Sequence, residues 1–390
     1  NDINSTVIVG GTATLGGSHL VATIPAGNSA GDAYITTQAG TTSKILTAGV
    51  GVVGQFGSTS FENNGTAFTP TLITPTVSYS GKEVNMSIVR NNVTAVAAQA
   101  FGTDATRNNS AANVEQALKV ADNMAASGQT GGANAAFLAS AAALQRSANI
   151  DAVGAALDSL SGQIYASAQA QTFQQSQAIN RDLSNRLAQL GESNVSTGFW
   201  TTAIGASGKL AQSGYAGAST SIWGGQFGVD TQLNKQTILG AAVAYSEGRA
   251  NFDRFGGNAK SQYVGGSLYA RYALANTGAY VTGRAGVAIV DSNIERAAIV
   301  GTETQRLQAS HLDHTFSGYV EAGNTLKISD KNTITPFGGI SYDRVRRGSF
   351  AETGGSFGLS ASSQTYQQVA GLLGVRGDSS FAWFAGNSKL

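Results

Sequence analysis

The chain has 390 residues, of which 12% are charged, and its formal net charge at pH 7 is +1. This near-neutral balance provides no basic surface for nucleic acid, so we expect no nucleic-acid partner. Cysteine is absent, which excludes disulfides, thiolate metal sites and a cysteine nucleophile. No run of about 18 apolar residues occurs, so no transmembrane helix is predicted. The start, NDINSTVIVGG, lacks a signal-peptide pattern, and we expect a processed fragment of a longer chain.

Residues 1–105 have the pattern of short strands and turns. Two stretches alternate clearly, TLITPTVSY at 71–79 and VNMSIVR at 84–90, and Gly or Asn clusters separate such runs. The irregular spacing leaves a sandwich open, but small-residue strands with frequent glycine also fit the last coils of a β-solenoid. We therefore predict a β-solenoid-like segment over 1–105.

Residues 106–195 change to helical spacing. Val114, Leu118 and Ala121 recur at intervals of three to four, and alanine-rich stretches such as NAAFLASAAALQR favour helix. The last predicted helix, at 167–191, reads SAQAQTFQQSQAINRDLSNRLAQLG. At 1.5 Å per residue it reaches roughly 37 Å, beyond the ~30 Å apolar thickness of a bilayer.

This last helix is too polar for lipid, since it carries six glutamines. Gly191 is its predicted C-terminal stop. Its apolar side chains fall on one side and predict a packing stripe against a partner surface. The stripe consists of Ile179, Leu183, Leu187 and Leu190.

From residue 196 to 390 longer strands alternate between apolar and polar side chains. They are predicted near 197–209, 219–233, 237–252, 260–274, 277–297, 307–328, 332–353 and 359–378, with a ninth starting at about 381. Strands of this length exceed the roughly 5–6 residues typical of globular sheets. Short and long links alternate, and aromatic residues lie near the strand ends. These features favour a mainly β protein with a transmembrane antiparallel β-barrel over a soluble sandwich.

Several motifs in this chain resemble a known family. The stretch TPFGGISYDRVRRGSFAETGG at 335–355, followed by AGLLGVRGD at 370–378, is similar to the late-barrel pattern of the translocator domain of type Va (classical) autotransporters. Upstream, AALDSLSGQIYASAQAQ at 155–171 resembles the junction before that barrel. The matching late-barrel positions are Thr335, Pro336, Phe337, Tyr342, Phe350, Glu352, Gly354, Leu373, Gly374 and Arg376.

This resemblance implies a twelve-stranded barrel over 196–390, a helical linker over 106–195 whose final helix threads the lumen, and a β-helical passenger stalk over 1–105. It further implies that the chain anchors an N-terminal passenger in outer-membrane lipid and helps export it to the cell surface. Periplasmic chaperones and the barrel-assembly machinery are the implied partners, and we expect a monomer. Because only eight to nine strands are predicted, we expect the barrel to be C-terminally incomplete.

Two alternatives stay open at this stage. The full-length protein can carry a subtilisin-like protease or esterase as its passenger, outside this chain. Alternatively, the chain is a soluble all-β adhesin or structural module.

Charged residues within the predicted strands indicate which face is polar. A lipid-facing Arg near mid-membrane costs about 2–4 kcal/mol, so such side chains are predicted to face the lumen or contact the linker. These candidates are Arg271, Arg284, Glu321, Glu352 and Arg376.

Three motifs associated with enzymes or metal sites are interpreted as chance matches. They are Gly27-x-Ser29-x-Gly31, Gly49-x-Gly51-x-x-Gly54, and the group His311, Asp313 and His314. The first two lack the following helix that their chemistry requires. In the third, His314 lies on the opposite strand face from the other two side chains. We therefore predict no catalytic, cofactor or metal site.

Overall fold

The computed structural model describes residues 6–24, 34–63, 65–67, 69–190, 197–254, 256–383 and 386–389. The chain divides into two compact units. The first comprises Asn1–Gln163, Arg296–Leu307 and Thr353–Leu359, and the second comprises Ile164–Glu295, Gln308–Glu352 and Ser360–Leu390. Within the described residues, no helix has both the length and the apolar character needed to cross a membrane.

The strands of the first unit begin with two stacked coils. Strand β1 pairs in parallel with β4, β2 with β5, and β3 with β6. In each pair the partners lie 39 residues apart, as in Val7 with Leu46 and Thr12 with Gly51. Among the described residues of this region, the strands are β1 Val7–Val9, β2 Thr12–Thr14, β3 His19–Ile24, β4 Thr41–Ala48, β5 Gly51–Val53, β6 Ser58–Asn63, β7 Thr66–Ala67, β8 Ile73–Tyr79 and β9 Glu83–Arg90.

Two glycines of the Gly49-x-Gly51-x-x-Gly54 match, Gly49 and Gly54, lie at the turns before and after β5 of these coils. A Cβ atom on Gly49 would lie 2.4 Å from the carbonyl oxygen of Gly10, which occupies the equivalent corner of the other coil. Gly54 has a φ of +77°, a conformation that glycine adopts without strain. The glycines therefore allow the two corners to stack closely.

Five helices follow the strands. They are α1 Val93–Phe101, α2 Ala105–Ala126, α3 Ala133–Gln145, α4 Ile150–Ser159 and α5 Gln163–Gln189. The side chains of Asn92, Asp104 and Asn149 cap α1, α2 and α4 by accepting a backbone N–H three residues further on. Helical structure thus begins before residue 106, and the domain boundary placed there stays a prediction.

Helices α1 to α4 share a hydrophobic core with Tyr34 and Leu72 of the first unit. A buried polar network crosses the same unit, in which Arg90 of β9 binds both Glu115 and Asp122 of α2. The hydroxyl of Tyr34 donates to Asp122 Oδ1 over 2.6 Å. Strand β9 is therefore held against helix α2 by ion pairs, in addition to the apolar packing between this region and the helices.

Replacing Tyr34 with phenylalanine is expected to change how stability depends on pH. Burial, followed by the hydrogen bond to Asp122, raises the pKa of Tyr34 in the folded state. Because the pKa in the folded state is higher than the unfolded value near 10, the protonated hydroxyl stabilises the fold below that pH. This stabilisation is lost as the pH rises above that value. Y34F should therefore lose less stability between about pH 9 and 11 than the parent. Thermal unfolding followed by helical circular dichroism measures this.

The exposed Tyr215 provides the control for this experiment, since Y215F leaves the buried hydroxyl in place. If the stability of the parent and of Y34F falls equally as the pH rises from about 9 to 11, the role assigned to Tyr34 is contradicted.

The second unit is built on one large antiparallel sheet. Its strand order is β10-β11-β12-β13-β14-β15-β17-β20-β21, with β16 pairing β17. Within the described residues no pairing joins β10 to β20 or β21, and the sheet is a curled half-barrel. The strands are β10 Thr197–Leu210, β11 Ala218–Asn234, β12 Thr237–Phe252, β13 Asn258–Ala273, β14 Ala279–Val300, β15 Glu303–Asn324, β16 Leu326–Lys327, β17 Asn332–Arg347, β18 Phe350–Ala351, β19 Ser360–Ala361, β20 Gln364–Trp383 and β21 Gly386–Lys389.

Eight long strands and a short ninth confirm the predicted mainly β fold. Alternation is clear in β12, where Leu239, Val243 and Tyr245 are exposed while Ile238 and Ala242 are buried. The predicted strands 332–353 and 359–378 are wrong at their facing ends, because β17 ends at Arg347 and β20 begins at Gln364. The glycine-rich residues between them lack alternation and form the short β18–β19 pair instead.

Candidate functional site

Helix α5 lies against the buried face of the sheet in the second unit. Its buried residues include Gln169, Gln171, Gln175 and Asn180, which are polar side chains. Buried polar groups require hydrogen-bond partners, and the sheet supplies them for several of these residues. The arrangement is a polar helix that lies against a polar surface.

The apolar residues of α5 pack against the sheet in two clusters. Ile179 contacts a cluster that includes Tyr263 and Val290. Leu183, Leu187 and Leu190 pack with Ile238, Ala242 and Tyr269. The structure thus places the four residues of the sequence-derived stripe on the side of the helix that meets the sheet.

Asn180 of the helix makes hydrogen bonds with several strands of the sheet. Its Oδ1 accepts hydrogen bonds from Arg284 Nη1 over 2.7 Å and from Ser317 Oγ over 3.1 Å. Its Nδ2 donates to Asp343 Oδ1 over 3.2 Å. Arg284 also donates from Nε to Ser184 Oγ, one turn further along the helix, over 3.1 Å. One position of the helix is therefore tied to three separate strands.

Further hydrogen bonds lie on either side of Asn180. Gln175 Nε2 donates to Ser246 Oγ over 2.9 Å, and Gln175 Oε1 accepts from Ser261 Oγ over 2.9 Å. Gln226 of β11 donates to the carbonyl oxygen of Ile179 and to Asp182, both over 2.9 Å. The amide side chains thus bond the helix to β11, β12 and β13.

The C-terminal part of α5 is held by an ion pair. Arg186 donates from Nε to Asp230 Oδ2 over 3.1 Å, and Asp230 is fully buried. The other carboxylate oxygen accepts from the hydroxyl of Tyr269, which in turn accepts from Trp200 Nε1 over 2.7 Å. This chain of contacts links the helix to β10, β11 and β13.

The N-terminal part of α5 contacts the segment after β17. The Tyr165 hydroxyl donates to Glu352 Oε1 over 2.7 Å, and its ring stacks on Phe350 at a centroid distance of 4.0 Å. The helix therefore makes contacts with the sheet unit from its first turn to its last.

The other sequence-derived candidates bind one another. Arg376 donates to both oxygens of Glu321, over 2.6 and 2.8 Å, and the hydroxyls of Tyr280 and Tyr319 donate to the same carboxylate. Arg271 lies over the ring of Tyr280 at 3.8 Å. This cluster joins strands β13, β14, β15 and β20 on the buried face.

Sequence reasoning missed several residues that contact the helix. Gln226 and Asp230 alternate with the outward apolar residues Phe227 and Val229, which is the signal that identified Arg284 and Glu321, whereas Asp343 is followed by the outward Arg344. Applied to β11, the same rule would have found Gln226 and Asp230.

Gly240 leaves room for the ring of Tyr269, whose hydroxyl is hydrogen-bonded to Asp230 and Trp200. A Cβ atom there would lie 2.2 Å from the ring of Tyr269. We expect G240A to displace Tyr269 from Asp230 and Trp200 and to destabilise the sheet by about 1–3 kcal/mol, the usual cost of overpacking. The temperature at which the folded, unheated form is lost on a gel measures this.

The matched control is G266A on the neighbouring strand β13, where the nearest atom to a new Cβ is a carbonyl oxygen at 3.9 Å. Equal transition temperatures for G240A and G266A would contradict the role of Gly240.

The remaining motifs do not converge on a reactive centre. His311 and Asp313 share the buried face with 2.7 Å between Nδ1 and Oδ1, whereas His314 is exposed on the other face. Across the described ranges, no group of three His, Cys, Asp or Glu side chains could hold a metal ion. The match at Gly27, Ser29 and Gly31 and the predicted helix stop at Gly191 lie outside the described residues.

Residues 199–390 match the family model described as the autotransporter beta-domain. No curated protein sequence matches the chain. Two solved structures are similar at 18% identity. The translocator domain of the autotransporter NalP from Neisseria meningitidis has a TM-score of 0.44, with 53% of this chain and 71% of that chain covered. The beta domain of the Bordetella autotransporter BrkA has a TM-score of 0.38, with 49% and 74% covered.

With this family match, the long-stranded half-barrel is an outer-membrane translocator domain that serves the export of a passenger. Residues 199–390 are an autotransporter beta-domain. The beta-domain is not itself catalytic. The soluble all-β alternative is therefore set aside.

Proposed function

We propose that α5 is the linker of this autotransporter and lies in the lumen of its beta-domain, joining the membrane-embedded part to the exported passenger. The observation that carries this proposal is the series of polar contacts from Tyr165 to Arg186. A glutamine-rich helix of bilayer length satisfies its side chains there without meeting lipid. Arg284 and Glu352 hold the helix directly, and Arg271, Glu321 and Arg376 stabilise the wall around it.

The parallel coils of the first unit are proposed to be the end of the passenger stalk at the cell surface. The constant offset of 39 residues between paired strands supports this, because stacked coils of equal length are how a β-helix is built. An adhesin, a subtilisin-like protease or an esterase would each fit this arrangement as the passenger.

The mechanism is physical. Ladder hydrogen bonds satisfy the backbone of the beta-domain within lipid, and the polar buried face binds the linker. Folding of the stalk outside the cell would oppose return of the exported chain. Periplasmic chaperones and the barrel-assembly machinery are the proposed partners for insertion, and the protein acts as a monomer.

Epitope accessibility on intact cells tests the proposed orientation. A short epitope inserted after Gly81, in the exposed turn between β8 and β9, should bind antibody without permeabilisation. The same epitope after Lys235, in the short turn between β11 and β12, should bind only after permeabilisation. Labelling of the second site alone on intact cells would contradict the orientation.

A further inference from the structure

The outward face of the beta-domain carries a basic patch next to its apolar band. The patch consists of His314 on β15 with Arg344 and Arg346 on β17, and all three side chains are exposed. His314 is the register partner of Arg346, and Phe316 is the partner of Arg344. The two arginines are two residues apart, so their Cα atoms lie about 6.6 Å from each other on one face.

The position of the patch is set by its neighbours along the strands. Val320 and Ile340 are cross-strand partners within the apolar band and are both more than half exposed. One step further, Phe316 and Tyr342 form an aromatic pair with a centroid distance of 6.1 Å. Aromatic side chains mark the level where lipid tails meet headgroups. The basic patch therefore begins at headgroup level.

On the β20 side the patch has no acidic register partner. On β17 and β20 the register partners of its arginines are Gln367 and Thr365, which are uncharged. Within the described residues, neither Arg344 nor Arg346 lies within salt-bridge distance of a carboxylate. At another place on the outward face, Arg249 lies beside the carboxylate of Glu247. The positive charge of Arg344 and Arg346 is thus not offset by an ion pair within the described residues.

We propose that His314, Arg344 and Arg346 bind the phosphate of a lipid headgroup in the leaflet that surrounds the long-loop end of the beta-domain. Arginine offers a planar set of donors that matches phosphate oxygens, and the opposite histidine adds an N–H donor. The apolar band directly beside the patch accommodates the acyl chains of the same lipid. A lipid therefore meets both requirements at once, whereas a free phosphate meets only the first.

The proposal rests on the outer-membrane placement of the beta-domain. The experiment therefore measures lipid binding and membrane placement separately. The full chain is inserted into phosphatidylcholine vesicles containing diphosphoryl lipid A, then extracted in mild detergent, and the retained lipid A is counted by native mass spectrometry. Insertion is scored independently by flotation of the vesicles. Retention should fall about tenfold in R344Q/R346Q, because two charge-assisted hydrogen-bond donors are lost.

The matched control is R249Q/K260Q, which removes two outward basic residues that are register partners on β12 and β13. It should retain lipid A as the parent does. Dephosphorylated lipid A should be retained no better by the parent than by R344Q/R346Q, and inorganic phosphate should compete only weakly. If R344Q/R346Q inserts normally and retains lipid A like the parent, the patch proposal is overturned. Failure of the parent to float with any vesicle would overturn the membrane placement together with it.

Discussion

Replacing Arg90 with methionine is expected to lower the stability of the first unit by about 3–5 kcal/mol, the cost of breaking a buried ion pair. The Arg90 side chain is fully buried, and Glu115 is 3% exposed. Its guanidinium donates to both oxygens of Glu115, over 2.9 and 3.1 Å, and to both oxygens of Asp122. Without it two carboxylates would remain close together without a counter-charge. The helical circular dichroism transition should move down by about 10 °C.

The control for this experiment is Lys44→Met in the same unit. Lys44 pairs with Glu83, but their side chains are 46% and 36% exposed, and exposed pairs contribute about 0–1 kcal/mol. K44M should leave the transition almost unchanged. If R90M and K44M unfold at the same temperature, the buried network does not fasten β9 to α2.

The second large effect is expected at Asp230, where the sheet holds the C-terminal part of α5. D230N keeps the shape of the side chain but removes the charge that binds Arg186. Because Asp230 is fully buried, the loss should cost about 3 kcal/mol, and it should be concentrated in the helix. Hydrogen exchange in 163–189 should rise far more than exchange in the strands, which mass spectrometry measures.

The substitution E247Q is the matched control for D230N, because it makes the same change from carboxylate to amide. It lies on the adjacent strand β12 and is 3.9 Å from Arg249, whose side chain is largely exposed. E247Q should leave exchange in the helix unchanged. Equal exchange in 163–189 for D230N and the parent would show that the ion pair does not hold the helix.

The strands of the beta-domain and the stripe on α5 follow from local spacing. A half-buried strand alternates with a period of two, so Leu239, Val243 and Tyr245 can be assigned to one face from the sequence. Likewise, Leu183 and Leu187 are four residues apart and must share one side of a helix. Such patterns require only that one surface is apolar and the other is polar.

The specific contacts could not be predicted in this way. Nothing local distinguishes Asp230, which binds the helix, from Glu321, which binds Arg376 on a distant strand. The parallel pairing of β1 with β4 could not be predicted either, because the sequences VIV at 7–9 and LTA at 46–48 have no amino acid in common. Pairing between distant segments depends on long-range geometry that no short window of sequence contains.

The central claim, that α5 lies along the buried face of the membrane-embedded sheet, can be tested by cross-linking because the chain has no native cysteine. Gln175 and Ser246 are in direct hydrogen-bond contact, whereas the adjacent Tyr245 is exposed on the opposite face. In protein inserted into membranes, Q175C/S246C should be joined by a short bifunctional thiol reagent, and Q175C/Y245C should not. Equal cross-linking of the two pairs, or none of the first pair, would contradict the account.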